Sequence, residues 1–447
     1  MADSKHQTAL RWRSHVWIFL FGLLALSFFY SPGWLALCAG LALFLFGMQC
    51  LEEGLRQLTG GKLERVLARS TSSPFKSLLF GIISTMMVQS SSLVSLLTIA
   101  FISTGLITLG AGIAIVFGAN LGTTSGIWLL ALAGQKVSLS PIALPFLVFG
   151  VLGNFTGQRG QAVGKVALGI AFLFLGIDQM RDGFSTLAGN FDPLQYQVPG
   201  IAGQLLYALI GVLITVLLQS SHATLMLILT ALGSGHLAID QGFALAIGSN
   251  LGTTITAIIG AVGGARAGQR LALAHVIFNL TTGLLALALL GPISTVVYWF
   301  ADEIGYRGNL LIELAIFHSL FNAVGVLLFW PLRDRLAAFL ERRLPDQAEP
   351  AVLIAELVPQ EMMPTRARYL DESALATADT AVRAVLLELQ HMGRLSLEVI
   401  CHALFLPVEQ LNQKHPDPAL LNAKPKLHEI DADQLYQLHV KGVYSDL

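Results

Sequence analysis

The stretch from Ser77 to Phe155 contains a single charged side chain, that of Lys136. A water-soluble domain of that length needs a charged surface, whereas helices embedded in a bilayer do not. The whole chain agrees, because 54% of its 447 residues are hydrophobic and 12% are charged, against roughly 25% charged in an average soluble protein. The sequence therefore predicts an all-α membrane protein that crosses the bilayer several times.

Apolar segments follow one another along the first three quarters of the chain. They lie near residues 16–30, 34–50, 77–88, 93–108, 111–133, 142–155, 163–178, 204–218, 223–233, 243–264, 271–299 and 310–330. Several are shorter than the roughly 20 residues that a membrane-spanning helix needs. The short ones flank polar blocks, and irregular backbone at membrane depth persists only where it lines a protein cavity. Re-entrant hairpins or broken helices are therefore expected there.

Two polar blocks interrupt the apolar sequence, and each occurs twice. The block 89–92 (Gln-Ser-Ser-Ser) recurs at 219–222 (Gln-Ser-Ser-His), and 118–124 (Gly-Ala-Asn-Leu-Gly-Thr-Thr) recurs at 248–254 (Gly-Ser-Asn-Leu-Gly-Thr-Thr). Taken alone, either block would equally fit a seam of small residues between packed helices. Because both recur at one offset, they favour two repeats that share a substrate site. A weaker echo links 47–55 with 176–184.

The distribution of basic residues predicts how the two repeats enter the membrane. The connection 51–76 contains five Lys or Arg residues, and its counterpart 182–205 contains none. Basic loops favour the cytoplasmic side, so the first connection is predicted inside and the second outside. Similar units that enter from opposite faces are inverted repeats.

These patterns divide the chain into four parts. An N-terminal segment with a retained first span covers 1–33, the first transport repeat 34–162, the second repeat with a final span 163–332, and a cytoplasmic helical tail 333–447. In the tail, a heptad-like apolar stripe between 375 and 399 predicts a helix that packs on partner helices, and a second helix is predicted over 430–444. Both termini are expected in the cytoplasm, with homo-oligomer formation through the tail as an option left open.

A Gln-Ser-Ser block at a break between helices offers groups that bind an anion without Arg or Lys. The first residues of a helix leave backbone N–H groups unpaired, and the helix dipole adds roughly half a positive charge there. Serine hydroxyls and the glutamine amide supply further hydrogen-bond donors. Two helix ends do not offset the desolvation of a doubly charged anion. Bound cations would close the gap, so coupled binding of anion and cation is expected.

The paired blocks resemble those of the sodium/phosphate cotransporter type II family, over roughly residues 35–330. The resemblance implies that phosphate and sodium bind between two inverted repeats and cross a bacterial inner membrane by alternating access. We expect a transporter and no enzyme, with no cofactor beyond the coupling sodium. The net charge of −1 gives no sign of a nucleic-acid partner, and three widely spaced cysteines (Cys38, Cys50 and Cys401) do not suggest a transition-metal site. Matched by motif, the predicted substrate and ion ligands are Gln89, Ser90, Ser91, Ser92, Asn120, Thr123, Thr124, Gln219, Ser220, Ser221, His222, Asn250, Thr253 and Thr254.

One ligand position departs from the family pattern, because His222 stands where a third serine is expected. Either the imidazole makes transport pH-dependent, or the ring fills space and hydrogen-bonds a neighbour. Two further histidines, His275 and His318, each precede an asparagine by four residues, and they are interpreted as interhelical clamps rather than ligands. Glu52 and Glu53 at the cytoplasmic boundary, and Asp178 and Asp182 at the external one, are interpreted as boundary residues in contact with solvent, with gating as the alternative.

Alternative functions remain open at this point. The same scaffold would suit another oxyanion, such as sulfate or arsenate. The tail resembles the PhoU-like helical regions of bacterial family members, which would imply regulation, export of phosphate or a sensor function. A more distant alternative is an intramembrane hydrolase that pairs Ser92 or Ser221 with His222 or His275, although two symmetric serine clusters do not match a single activated nucleophile.

Overall fold

The computed structural model describes residues 19–59, 73–133, 139–188, 198–346, 367, 369, 370, 374, 375 and 377–403, and the regular structure within them is helical. The all-α prediction is confirmed. In chain order the helices are α1 (Phe19–Tyr30), α2 (Pro32–Thr59), α3 (Pro74–Val88), α4 (Ser91–Ser103), α5 (Leu109–Ala133), α6 (Ser140–Gly153), α7 (Gln158–Ala188), α8 (Gly200–Leu218), α9 (Ser221–Gly233), α10 (Ile239–Gly252), α11 (Thr254–Ala261), α12 (Arg266–Ala288), α13 (Leu290–Glu303), α14 (Leu310–Phe329), α15 (Arg333–Arg343) and α16 (Ala378–Ala403).

Seven stretches of the described chain are long and apolar enough to cross a membrane. They are Pro32–Leu58, Leu109–Leu132, Gln158–Leu187, Gly200–Leu218, Ile239–Ala261, Arg266–Ala288 and Leu310–Phe329. The prediction of a membrane protein with several spans is confirmed. The apolar segment 271–299 contains parts of two helices, because the chain is divided at Leu289 into α12 and α13. The described part of the predicted first span is α1, and residues 1–18 lie outside the described residues.

Both Gln-Ser-Ser blocks break a helix. Gln89 follows α3 with φ of 57°, Gln219 follows α8 with φ of 54°, and these are the two non-glycine residues with positive φ in the described chain. Left-handed backbone cannot continue a right-handed helix, so a new helix starts two residues later, α4 in one half and α9 in the other. The prediction of broken helices is confirmed, whereas a return of each pair to the same membrane face stays a prediction.

Helices α2 and α7 pack closely through a seam of glycines. A Cβ atom added at Gly40 would lie 2.7 Å from the carbonyl oxygen of Gly176, and one at Gly47 would lie 2.9 Å from that of Gly169. Along this seam the residue numbers of α7 fall as those of α2 rise, so the two helices are antiparallel. These helices contain the echoed segments 47–55 and 176–184, so matching helices of the two halves run in opposite directions. Inverted repeats predict this relation, and the inversion across the bilayer stays a prediction.

A second pair of close contacts holds the broken helices in place. A Cβ atom at Gly118 would overlap the carbonyl oxygen of Leu78, and one at Gly248 would overlap that of Ala208. Each glycine is the first residue of a Gly-x-Asn-Leu-Gly-Thr-Thr block. The block of the first half packs α5 onto α3, and the block of the second half packs α10 onto α8. The blocks therefore fix the helices that precede the two Gln-Ser-Ser turns.

Helix α16 confirms the helix predicted from the apolar stripe. Two residues of that stripe, Val382 and Leu389, are 61% and 56% exposed, while Thr380 and Ala384 on another face are buried. Within the described residues, the apolar stripe of α16 is therefore exposed. The second predicted tail helix, over 430–444, lies outside the described residues, and the cytoplasmic position of the tail stays a prediction.

Candidate functional site

A polar cavity of about 230 Å³ lies between the two Gln-Ser-Ser turns. Both turns contribute to its wall, together with one face of α2 and the end of α8. The lining residues are Leu45, Met48, Gln49, Glu52, Gln89, Ser90, Ser91, Ser92, Leu218, Gln219, Ser220, Ser221 and His222. Eight predicted ligands therefore meet at one site. They form two groups of four, which are 130 residues apart along the chain.

The N-termini of α4 and α9 present their backbone amides at this cavity. The Ser90 hydroxyl accepts a hydrogen bond from the Leu93 amide at 3.2 Å, and the Ser220 hydroxyl accepts one from the Ala223 amide at 3.2 Å. Each serine caps its helix, and the two amides between cap and partner have no acceptor within the helix. With the positive end of the helix dipole added, each turn is a ready anion-binding element.

The two glutamine amides are held in fixed orientations. Gln89 Nε2 donates to the Met86 carbonyl at 2.6 Å and to Ser125 Oγ at 3.2 Å. Gln219 Nε2 donates to the Val216 carbonyl at 2.6 Å, and its Oε1 accepts from Thr256 at 3.1 Å. Each amide is thus fixed by its own turn and by a hydroxyl group on a helix further along the chain, α5 for Gln89 and α11 for Gln219.

His222 is buried at the edge of the cavity, with 6% of its surface exposed. Its Nε2 atom is buried without a hydrogen-bond partner. The ring lies against Gly126, where an added Cβ atom would overlap the imidazole and lie 2.7 Å from Gln89 Oε1. The structure therefore shows how the ring is accommodated: Gly126 of the first half leaves the space that His222 of the second half fills.

A larger cavity of about 610 Å³ adjoins the polar one. It is apolar and lies among α2, α3, α5, α6 and α7, with Phe44, Phe146 and Phe174 in its wall. Met48, Gln89 and His222 line both cavities. These three side chains consequently form the boundary between a polar space and an apolar one.

The six other predicted ligands do not line the polar cavity. They are Asn120, Thr123, Thr124, Asn250, Thr253 and Thr254. The threonine hydroxyls donate to carbonyl groups three or four residues earlier, as Thr123 does to Ala119 at 2.9 Å. Asn120 Nδ2 lies 3.4 Å from His275 Nε2, and Asn250 Oδ1 lies 3.0 Å from His318 Nε2. The two asparagine–histidine contacts join helices, in keeping with the clamp interpretation, whereas the threonine contacts are local along the chain. An ion-binding role for the six residues stays a prediction.

Two polar lining residues were not recognised in the sequence as ligands, Gln49 and Glu52. Glu52 was interpreted as a boundary residue in contact with solvent, yet it lies in the cavity wall. Leu45, Met48, Gln49 and Glu52 recur at helical spacing on one face of α2. The signal was present in the echoed segment 47–55, but only the packing of α2 shows which of its faces meets the two turns.

The described residues offer little support for a metal centre or a hydrolase. They contain no group of three His, Cys, Asp or Glu side chains that could hold a metal ion. His275 and His318 are paired with asparagines, and in the part of the chain that the structure describes no histidine is hydrogen-bonded to a serine hydroxyl. The arrangement that a Ser/His nucleophile needs is therefore not formed by the serines of the two turns.

Fold and site together define a polytopic helical membrane protein with a polar cavity built from two matching helix breaks. The chain belongs to the Na+/Pi-cotransporter family, whose model matches residues 43–182 and 200–324. It is thus a member of a phosphate transporter family, as its paired motifs predicted.

Similar proteins extend this assignment. "Uncharacterized protein YqeW" of Bacillus subtilis (strain 168) is 30% identical over 309 residues, which cover 68% of this chain and 95% of the relative. "Putative inorganic phosphate export protein YjbB" of Salmonella typhimurium is 27% identical over 361 residues, covering 80% of this chain and 62% of that relative, less than two thirds of its length. Human "Sodium-dependent phosphate transport protein 2B" is 33% identical over 102 residues, 22% of this chain and 15% of the relative. No solved structure matches the chain.

Proposed function

We propose that this protein is a secondary transporter that moves inorganic phosphate together with sodium across a bacterial inner membrane. The observation that supports this proposal most strongly is the single polar cavity lined by both Gln-Ser-Ser turns. In this account the phosphate oxygens accept hydrogen bonds from the first amides of α4 and α9, from the serine hydroxyls and from the glutamine amides.

The charges at the cavity support coupling to a cation. Its lining residues include no Lys and no Arg, so the two helix N-termini supply about one unit of positive charge between them. A phosphate dianion that leaves water needs more compensation than this. Sodium ions bound beside the phosphate supply it, and hydroxyl and carbonyl oxygens are suitable ligands for such a hard cation.

The antiparallel packing of α2 and α7 supports alternating access. Transporters built from inverted repeats bind substrate at the repeat interface, often at breaks in membrane helices. Here the glycine seam brings matching helices of the two halves together in opposite directions, and the polar cavity lies between elements of both halves. Rocking of one half against the other would open the cavity to either side of the membrane.

Export of phosphate is the second candidate for direction. It is favoured by the printed name of the Salmonella relative, which aligns with 80% of this chain, whereas the human relative is named for sodium-dependent transport. Both directions use the same binding site, and the direction of net flux follows from the gradients that are imposed.

Flux of radiolabelled phosphate into and out of proteoliposomes tests the proposal. We expect flux in both directions to require sodium on the side from which phosphate leaves, with choline as the replacement cation. Excess unlabelled phosphate should compete better than sulfate or arsenate. Flux that does not depend on sodium would refute the proposed coupling to sodium. Stronger competition by sulfate or arsenate than by phosphate would show that the substrate is that oxyanion.

The variants Gln89→Gly and Gln219→Gly test the site itself. Glycine accepts positive φ readily, so each variant keeps the turn and removes only the amide. We expect each to lower phosphate flux roughly tenfold or more, since buried polar contacts to a charged ligand contribute one or two factors of ten. The exposed Gln158 on α7 provides a matched control as Gln158→Ala. Flux at the wild-type level in both turn variants would exclude this cavity as the phosphate site.

A further inference from the structure

Glu52 is the one carboxylate among the lining residues of the polar cavity. It lies on α2 with Gln49 one turn before it, facing the two turns that bind phosphate in the proposed function. We propose that Glu52 holds a monovalent cation, sodium or a proton, that travels with phosphate. This inference rests on the proposed function and adds a cation ligand outside the Gln-Ser-Ser and Asn-Thr blocks.

Glu52 shares a cavity wall with the phosphate turn of the first half. Ser90 of that turn is also the cap of α4. Gln49, Ser90 and Glu52 therefore bring amide, hydroxyl and carboxylate oxygens to the wall of one cavity. Such oxygens suit a hard cation, and a carboxylate adds the charge that the neutral ligands lack.

Charge balance requires a cation at this position. Two helix ends contribute about one positive charge, while phosphate and an ionised Glu52 together bring two or three negative ones. Bare, the carboxylate would repel the anion across a cavity that is only about 230 Å³ in volume. A sodium ion or a proton on Glu52 neutralises the carboxylate and removes that repulsion, so binding of the cation and of phosphate would favour each other.

The neighbouring charges do not replace that cation. Arg56 lies one turn further along α2 and attracts the carboxylate, while Glu53 beside it repels the negative charge. His222 also lines the cavity, with its Nε2 atom buried. Neither Glu53 nor Arg56 belongs to the cavity wall. Glu52 is therefore the residue on which a cation would meet the phosphate directly.

The proposed cation site is present in one half only. At the offset of the echoed segments, Glu52 corresponds to Arg181 and Gln49 to Asp178. Asp178 accepts hydrogen bonds from the Ser140 amide and hydroxyl, both at 2.7 Å, at the start of α6, and it forms an ion pair with Arg181 at 3.8 Å. The second half uses these positions to anchor a helix, and neither residue lines the cavity.

The matched pair Glu52→Gln and Glu53→Gln tests the inference in transport. Glu53 is the adjacent carboxylate, half exposed and 3.4 Å from Lys165, and it is not part of the cavity wall. In proteoliposomes we expect Glu52→Gln to raise the sodium concentration for half-maximal phosphate flux about tenfold, or to abolish the response to an imposed pH gradient. The Glu53→Gln variant should behave like wild type. Identical sodium and pH responses in the two variants would overturn the role of Glu52.

Thermal unfolding of the purified full-length protein separates this inference from the proposed function. Without phosphate, we expect sodium chloride, compared with choline chloride, to raise the melting temperature of wild type, Glu53→Gln and Glu52→Asp, but not of Glu52→Gln. If the cation is a proton, acidification in choline chloride gives the same pattern instead. Stabilisation that persists in Glu52→Gln contradicts the inference. A wild-type protein that shows Glu52-dependent stabilisation but no phosphate flux would instead refute the proposed function and leave the cation site in place.

Discussion

The two Gln-Ser-Ser turns have the same backbone but different surroundings. Gln89 and Gln219 share left-handed backbone with φ of 57° and 54°, and the cap hydrogen bonds of both turns measure 3.2 Å. Behind the turns the side chains differ, because the second half places His222 against Gly126, whereas the equivalent positions at the offset of 130 are Ser92 and Thr256. Both halves have therefore kept the backbone geometry that presents amides to an anion. The side chains behind the turns differ: the second turn has the large His222 next to the small Gly126, and the equivalent positions hold Ser92 and Thr256.

This difference predicts that Gly126→Thr has the largest effect of any single change at the turns. Threonine is the equivalent residue of the other half, but at position 126 its side chain overlaps the His222 ring. Overpacking of this kind costs about 1–3 kcal/mol, so we expect a lower melting temperature and loss of phosphate flux. The double variant Gly126→Thr with His222→Ser should recover most of both, because the smaller serine leaves room for the threonine and the two residues then match their equivalents, Thr256 and Ser92. If the double variant is no better than the single one, the two residues are not coupled.

A smaller effect is expected for His222→Ser alone. Removing the ring leaves a space beside Gly126, at a cost of about 1–2 kcal/mol in the free energy of unfolding, since cavities created next to water are partly refilled. We expect the pH profile of phosphate flux to match that of wild type, because the ring fills space behind the turn in this structure. A profile that flattens in His222→Ser would show that the imidazole is the pH-sensitive group of transport.

The caps of the two turns should respond equally. Ser90→Ala and Ser220→Ala each remove a side chain that accepts a hydrogen bond from the first turn of a helix, and such caps contribute about 1 kcal/mol. We therefore expect the two variants to lower the melting temperature by similar amounts. Ser90→Ala should also weaken the dependence of phosphate flux on sodium, because Ser90 and Glu52 line the same cavity. A clearly larger loss of stability at one turn would contradict the equivalence of their backbones.

The weakest effects are expected at the hydroxyl groups that orient the two glutamines. Ser125→Ala removes the contact to Gln89 Nε2, and Thr256→Val removes the contact to Gln219 Oε1. Each amide keeps its bond to its own turn, so we expect stability to change by about 0.5–1 kcal/mol and flux to fall only a few-fold. Phosphate affinity, measured as the KM of uptake, is the sensitive readout. A loss of flux as large as in Gln89→Gly would show that these hydroxyls bind substrate themselves.

The sequence predicted those features that depend on local pattern. Long apolar runs indicated the spans, and the matched polar blocks indicated the helix breaks at Gln89 and Gln219, because polar groups in a membrane are kept only where they are used. The Asn-Leu-Gly-Thr-Thr blocks were harder, since the same letters serve as ligands or as packing contacts. Only the fold shows that Gly118 meets Leu78 and that Asn250 meets His318.

Glu52 could not be assigned from the sequence for a different reason. Its place in the cavity depends on the antiparallel seam between α2 and α7, which turns one face of α2 toward two turns that lie far away in the chain. Similarly, the space for His222 is created by Gly126, a residue of the other half. Contacts between the halves decide these details, and an internal repeat predicts that such contacts exist without predicting which side chains make them.

The central claim is that both Gln-Ser-Ser turns hold one phosphate ion. A high-resolution cryo-EM structure of the protein in sodium phosphate, compared with one in choline chloride without phosphate, tests it most directly. The account predicts a phosphate-sized density in the polar cavity, within hydrogen-bonding distance of the amides at the starts of both α4 and α9, with a smaller density beside Glu52 if the cation is sodium. Phosphate density that contacts only one turn, or that lies outside this cavity, would contradict the account.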